Sequence, residues 1–300
     1  MSPELANVSW HIASIENGSP LLEALRLRLP VAPISFLRQL CGKQRVLLDG
    51  KLAAAEIAVR SGQTVTLKGS QRLHELLLAS PLAPQQLLYE DRFCLVVNKP
   101  AGLATHPGHG HDDSLLTRVQ AYFRLRGDRF QLAPVHRLDV DTSGPVLFGK
   151  GRAAISQLGK AVMADQTQKY YLALVSGSTP QQGELSSAVP AKGKIKPSWA
   201  RYRRVGQCDG YSLLRLQLVT GRQHQLRRQL SDAGWPIVGD ARYRGEMSTG
   251  LEHPFLHCEQ LSFPSAESGT TVELFCPLPP PLADLLTTLK ISPLGTNFSL

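Results

Sequence analysis

Three short stretches carry residue types that could do chemistry. THPGHGHDDS, residues 105–114, gathers His106, His109, His111, Asp112 and Asp113. His-x-His-x-Asp is a spacing used by dinuclear metal hydrolases, because alternate residues on a bent loop converge on zinc. Those hydrolases follow the aspartate with another histidine, and here Ser114 follows. Asp113 is also placed to cap a helix beginning at Ser114, so a glycine-rich loop with capping acids is the favoured reading over a metal site. HRLDVDTSG, residues 136–144, sets Asp139 beside a basic pair and ahead of a Thr-Ser-Gly turn. A carboxylate in such a cationic setting is suited to act as a nucleophile toward a sugar carbon, or to stabilise an oxocarbenium ion. For Asp141 an Asx-type turn with salt bridging is the simpler expectation. LVTGRQHQLRRQL, residues 218–230, ends a strand at a glycine and collects Arg222, His224 and Arg227 at the start of a helix. Backbone N–H groups at that end favour an anion. The anion could be an RNA phosphate or the Asp139 carboxylate; the plainer alternative is an exposed basic helix.

The elements that must position these groups are partly legible. A boundary is expected near residues 79–86, where ASPLAPQQ places two prolines between structured segments. Before it, Leu21, Leu22, Leu25 and Leu29 recur at helical spacing and stop at Pro30, and Phe36, Leu37 and Leu40 repeat the period with Gly42 placed to end it. RVLLDGKLA reads as a strand running into a D-G turn, and VRSGQTVTLKG as a second strand pair around a glycine. After the boundary, FCLVVNK, GPVLFGK, KYYLALVSG and YSLLRLQLV read as strands, SLLTRVQAYFRLRG and residues 152–165 as helices, and RQHQLRRQLSDAG as a short helix. Several strands lack an intervening helix. The expected fold is therefore α+β: a mixed, largely antiparallel sheet domain with flanking helices over 86–290, preceded by a small α/β domain over 1–80.

Composition narrows the partners. The chain has 300 residues, 42% hydrophobic and 19% charged, with 33 Lys and Arg against 24 Asp and Glu, a net charge of +9. This disfavours an acidic or disordered solvating protein and makes polyanions the first partner class. Residues 201–244 hold nine arginines against three acids, while 245–300 carry six acids and one lysine. An arginine band suits phosphate and base stacking, although a solvated basic face would look the same. The acidic C-terminal segment is expected to finish the sheet away from RNA. No stretch approaches 18 uncharged apolar residues, no signal peptide is apparent, and the five cysteines are scattered without a C-x-x-C pair. A cytoplasmic monomer without membrane attachment is expected.

Taken in order, NKPAGLATHPG, HRLDVDTSG, QKYYLALV and LVTGRQHQLR…GWPIVGDARYRG resemble the RluA-type family of RNA pseudouridine synthases over about residues 86–290. Residues 20–70 resemble the small S-four-type RNA-binding domain, through the two helices, the V-L-L-D-G-K turn and the G-Q-T-V-T-L close, with Ile34–Ser35–Phe36 in place of the usual serine–arginine start of the second helix. Two departures stand in the larger domain, Pro145 after TSG and Arg201 in WARYRRV.

The resemblance implies an enzyme that detaches uracil from ribose, rotates it and rejoins it through carbon 5, with no metal, nucleotide or organic cofactor. Asp139 would act at the ribose, either on the anomeric carbon or on the neighbouring 2′ proton. Arg227 would pair with Asp139, and Tyr171 would stack under the flipped uracil and help remove the carbon-5 proton. Arg137 would help extrude the base. His136 and Arg222 would contact substrate RNA or support the residues that do, His224 would contact substrate, and Arg38, Lys43, Arg45 and Lys51 would face RNA from the N-terminal domain. The implied substrate is structured RNA, ribosomal large-subunit RNA ahead of tRNA. A rival reading is a non-catalytic RNA-binding or ribosome-assembly factor that keeps the fold. A second rival is the metal hydrolase built on His109, His111 and Asp113.

Overall fold

The computed structural model describes residues 6–78, 81–108, 112–191, 194–248 and 250–292. The chain divides into two compact units, residues 1–84 with 106–129, and residues 85–105 with 130–300. The helix expected at 114–127, which the sequence boundaries place in the larger domain, therefore groups with the first unit.

In the first unit, β1 (Val8–His11), β2 (Val46–Leu48), β3 (Lys51–Leu52) and β4 (Thr64–Leu67) form an antiparallel sheet in the order β1-β4-β2-β3. The expected second strand pair around Gly62 is the single strand β4. Helix α1 (Leu21–Arg28) buries Leu21, Ala24 and Leu25, and α2 (Ile34–Gly42) buries Phe36, Leu37 and Leu40, the stripes their spacing dictates. Gly42 remains inside α2; the left-handed residue that follows is Gln44, at φ 54°. Asp49 and Gly50 both have positive φ, the hairpin geometry that D-G favours, and Asp49 Oδ1 accepts the Thr64 N–H at 2.7 Å. Helix α3 (Gln71–Leu78), absent from the sequence reading, adds Leu73 and Leu76 to the same core. In α4 (Leu115–Leu125) the N-cap is Ser114, whose Oγ accepts the Thr117 N–H at 3.2 Å, while Asp113 pairs with Arg118 and Asp112 with Arg72. His109 and His111 lie outside the described residues.

The second unit carries two sheets. The smaller, in the order β5-β6-β8-β7, comprises β5 (Leu87–Glu90), β6 (Cys94–Lys99), β7 (Leu132–Pro134) and β8 (Gly144–Lys150). The larger runs β10-β11-β12-β9-β13-β14, from β9 (Gln168–Ser176), β10 (Gln182–Ala191), β11 (Lys194–Cys208), β12 (Tyr211–Leu218), β13 (Leu256–Pro264) and β14 (Thr271–Phe275). Every ladder among the described strands is antiparallel; the expected mixture reduces to one isolated parallel bridge, Ser143 with His257. That bridge joins the two sheets. Helix α5 (Gly151–Met163) connects them, α6 (Gln225–Asp232) packs on β10, and α7 (Pro280–Thr288) follows. Buried runs on β6, β8 and β9 make the core between these layers. No helix among the described residues is long and apolar enough to cross a membrane.

Candidate active site

Asp139 stands on the turn between β7 and β8, and the main chain on both sides of it is pinned. Thr105 Oγ1 donates to Leu138 O at 3.0 Å. Gly102 N–H donates to Val140 O at 2.9 Å. Lys99, fully buried at the end of β6, donates to the carbonyls of Pro100, Leu103 and Val140 at 2.8–2.9 Å. Burial pulls the Lys99 pKa down to about 7, against the pull of the Asp139 and Asp141 carboxylates. The NKPAGLAT stretch is thus a cradle for the Asp139 turn, and Lys99 is its central brace. Gly102 sits at φ 81°, a backbone that favours glycine, and a Cβ there would push aside the His253 ring, whose Nε2 would lie 2.7 Å away.

The far end of the turn is clamped as firmly. Ser143 Oγ lies 2.8 Å from His257 Nδ1, and His257 Nε2 lies 3.0 Å from Cys276 O. With Nε2 facing a carbonyl, the proton sits on Nε2 and Nδ1 accepts from Ser143. Burial pushes the His257 imidazole down to about 4. Gly144 follows at φ 128°, packed so close to β13 that a Cβ would collide with the Cys258 carbonyl. That close approach explains the glycine of the Thr-Ser-Gly turn.

Asp139 itself lines a cleft of about 680 Å³ together with His136, Arg137, Lys169, Tyr171, Arg222 and Arg227. Its Oδ2 accepts the backbone N–H of His224 at 3.2 Å. The anion at the start of α6 is therefore the Asp139 carboxylate, one of the two alternatives open from sequence. His224 makes this bond from a left-handed backbone, φ 52°, unusual for a residue with a side chain and typical of functional turns. Its ring turns away, Nδ1 lying 3.1 Å from the Tyr243 hydroxyl. Burial, the largest influence, lowers the His224 pKa, aided by nearby arginines and opposed by Asp139.

Arg227 departs from expectation. Its guanidinium does not pair with Asp139. Nε and Nη2 grip Asp240 at 2.6 and 2.7 Å, and Nη1 reaches Asp141 at 3.1 Å. Both Arg227 and Asp240 are buried, and burial works against the charge on Arg227, but the two carboxylates override it and raise its pKa. Among the described residues Asp139 has no ion pair, whereas Asp141, two residues on, takes the salt-bridged role expected of it. The cationic partner was assigned to the wrong aspartate because charge spacing along the chain says nothing about which loop carries Asp240 back.

Tyr171, on β9, is buried with its ring lining the cleft. It lies opposite Cys258 in the β9–β13 register, which sets its side chain beside the Cys258 thiol. Burial, with the neighbouring thiol and Asp139, holds the Tyr171 pKa well above its ordinary value, so the hydroxyl stays protonated. The acidic C-terminal segment, expected away from RNA, supplies β13 and hence Leu256 in the cleft wall and Cys258 beside the tyrosine.

The remaining expected contacts divide. Arg137 is exposed at the cleft, and Arg222 is half-buried with its Nε lacking a hydrogen-bond partner. His136 lines the cleft, but its Nε2 accepts the Leu147 N–H at 3.1 Å, and burial drives its pKa down to about 3. It is a neutral brace for β8. Gln225 staples the Thr220–Gln225 loop, its Oε1 accepting from Thr220 Oγ1 and Arg222 N–H and its Nε2 donating to Trp199 O. The arginine band of 201–244 is not one phosphate-facing surface: Arg227 is committed as above, Arg215 is buried against Glu259 and Gln260, Arg204 binds Thr179 O, and Arg201 pairs with Glu184. In the first unit Arg38, Lys43 and Lys51 are exposed, whereas Arg45 donates to Gly69 O at 2.6 Å and is tied to the fold.

Comparison with known proteins shows the family. Residues 93–232 match the model of the RNA pseudouridylate synthase family. The ribosomal large subunit pseudouridine synthases C of Salmonella typhi and of Escherichia coli K12 are each 32% identical to the chain, covering 93% of it and 95% of their own length. The chain belongs to the RluA-type family of RNA pseudouridine synthases. As a member it is an enzyme that forms pseudouridine in RNA. Two human structures share the fold of this synthase. RNA pseudouridylate synthase domain containing 4 is 24% identical with a TM-score of 0.60, over 70% of this chain and 95% of its own. RNA pseudouridylate synthase domain containing 1 is 25% identical with a TM-score of 0.52, over 70% and 96%.

Sequence reasoning missed four participants: Lys99, Asp240, Cys258 and Lys169. A signal existed for Lys99, a lysine at the end of an apolar strand run, since a cation in that setting must find acceptors when buried.

Proposed function

We propose that this synthase isomerises specific uridines of ribosomal large-subunit RNA, with Asp139 as the carboxylate that acts at the ribose. The observation that carries the reading is the contrast within one turn. Asp141 pairs with Arg227, while among the described residues the Asp139 carboxylate has one partner, a backbone N–H, and opens into the cleft beside Tyr171. The target uridine leaves its stack, at a cost of a few kcal/mol, and enters the cleft. Asp139 then acts on C1′ or on the adjacent 2′ proton as the C1′–N1 bond breaks. The base rotates and C5 bonds to C1′; C5 loses a proton and N1 gains one. Every atom of the product is already in the substrate, so one carboxylate suffices where a glycosidase, which must also activate water, needs two.

Tyr171 packs against the extruded ring. Its hydroxyl, kept protonated by burial, favours this role over that of the carbon-5 base. Arg137 and Arg222 face the RNA at the cleft mouth, and Arg227 works one step back, holding the Asp139 turn to α6 through Asp141. In the first unit, an S-four-like RNA-binding role rests on Arg38, Lys43 and Lys51, with Arg45 shaping the fold beneath them. The relatives named for the ribosomal large subunit match both units and favour that RNA over tRNA.

The test is pseudouridine mapping of total RNA from cells lacking the gene, complemented with wild type or Asp139→Asn. Loss of one or a few sites in large-subunit RNA, restored by wild type alone, is the expected result. Restoration by Asp139→Asn would overturn the assignment of Asp139, and a lost site in tRNA would overturn the substrate.

A further inference from the structure

The cleft is lined by a half-buried cation that the reaction as written leaves without a task. Lys169 lies two residues before Tyr171 on β9, and the two-residue period of a strand puts both side chains on one face. Both line the cleft that holds Asp139. Burial is the main influence on Lys169 and lowers its pKa, with the Cys258 thiol and the Asp165 carboxylate opposing. The third titratable group in its field is His136, held neutral. Among the described residues the Lys169 ammonium makes no hydrogen bond or ion pair.

Lys99 shows what this chain does with a buried lysine that serves the fold, saturating it with three carbonyl oxygens. Lys169 has none. A half-buried ammonium on a cleft wall with no protein acceptor is placed to donate to whatever enters the cleft, and it gains an acceptor when something does. The acceptor must fit beside Tyr171, at the place the extruded ring occupies.

We propose that Lys169 is a catalytic residue that donates a hydrogen bond to a ring carbonyl oxygen of the extruded uracil. The proposal rests on the reading of Asp139 given above. When C1′–N1 breaks, the bonding electron pair stays with the base, and its negative charge spreads over N1, O2 and O4. A fixed donor on O2 or O4 stabilises that anion more than the neutral base, so its effect falls on the rate. The charge is cancelled when C5 bonds to C1′ and the ring exchanges its C5 proton for one on N1.

The experiment uses the full-length protein and a large-subunit RNA fragment carrying the mapped uridine, with uridine, 2-thiouridine or 4-thiouridine at that position. Lys169→Met is expected to unfold at the wild-type temperature and bind the fragment as wild type does. Its single-turnover rate at saturating RNA should fall about 100-fold, the scale of losing one preorganised donor. Sulfur accepts hydrogen bonds weakly, so one of the two thio substitutions should slow wild type about tenfold and slow Lys169→Met no further. That substitution identifies the oxygen. A Lys169→Met rate equal to wild type, thio effects that multiply with the mutation, or a loss confined to RNA affinity, as for a phosphate contact, would each overturn the proposal. Asp139→Asn run alongside separates the two ideas: activity there removes the reading beneath the proposal, whereas an inactive Asp139→Asn with a fully active Lys169→Met removes the proposal alone.

Discussion

Asp139 and Asp240 are both carboxylates on loops around α6, and the molecule treats them in opposite ways. Asp240 is buried and gripped at both oxygens by Arg227. Asp139 is half-buried, meets the same helix through one backbone N–H, and faces the cleft. The difference teaches how a carboxylate proposed to act at the ribose can be positioned without being neutralised. Two cations near it are spent elsewhere: Arg227 on Asp141 and Asp240, Lys99 on three carbonyls. The turn is then held by main-chain bonds, which fix position without adding a counter-charge in contact with the reacting oxygen.

The largest expected effect breaks the comparison at its catalytic side. Asp139→Asn should lower the single-turnover rate by a factor of about 1000 or more, roughly 4 kcal/mol on the barrier, while thermal unfolding stays within a degree or two of wild type. A matching loss of stability would mean that Asp139 is held for the fold after all. Asp240→Asn should do the reverse. It leaves Arg227 buried with half its pairing gone, a loss of about 3–5 kcal/mol read by urea unfolding, and activity should fall only as folded protein is lost. An unchanged unfolding midpoint would show that Asp141 alone can hold the arginine.

A third measurement leaves both carboxylates in place and loosens the frame behind them. His257 is held neutral in the folded protein with its pKa depressed to about 4, so its contribution is complete above the ordinary histidine pKa and is lost as pH falls toward 4. The shift corresponds to about 3 kcal/mol. His136, depressed to about 3, acts in the same direction. Unfolding free energy followed from pH 7 to pH 4 should therefore drop more steeply for wild type than for His257→Gln. Parallel curves would remove the Ser143–His257 clamp from the account. The smallest effect tests the backbone bond itself. His224→Val, whose branched side chain resists the left-handed conformation, should cost about 1–2 kcal/mol of stability and slow the reaction, whereas His224→Asn should do neither to a comparable degree. Equal behaviour of the two would show that the His224 conformation is unimportant to Asp139.

Much of this was readable before any fold was known. The apolar spacings of α1, α2 and α4, the runs of β6, β8, β9 and β12, and the D-G hairpin follow from local periodicity and turn chemistry, and each is where its residues put it. HRLDVDTSG and the TGRQHQLR segment marked the loops that meet in the cleft. The misreadings share one cause. Pairing Arg227 with Asp139, treating the arginines of 201–244 as one surface and setting the acidic C-terminal segment away from RNA all argue from proximity or charge along the chain. In the structure Asp240 returns thirteen residues later to take Arg227. Arg215 turns inward to Glu259, and β13 inserts between β9 and β14.

The sequence by itself determined the strongly periodic elements, the residue types at the cleft and the family. It could do so because strand and helix periods, turn dihedrals and motif chemistry are local properties of a few consecutive residues. Only the tertiary structure decided which carboxylate the arginine neutralises, which lysine is saturated and which is left facing the cleft, and which tyrosine face meets Cys258. Those are choices among partners far apart in the chain, made by desolvation and close packing once the two sheets meet at Ser143 and His257.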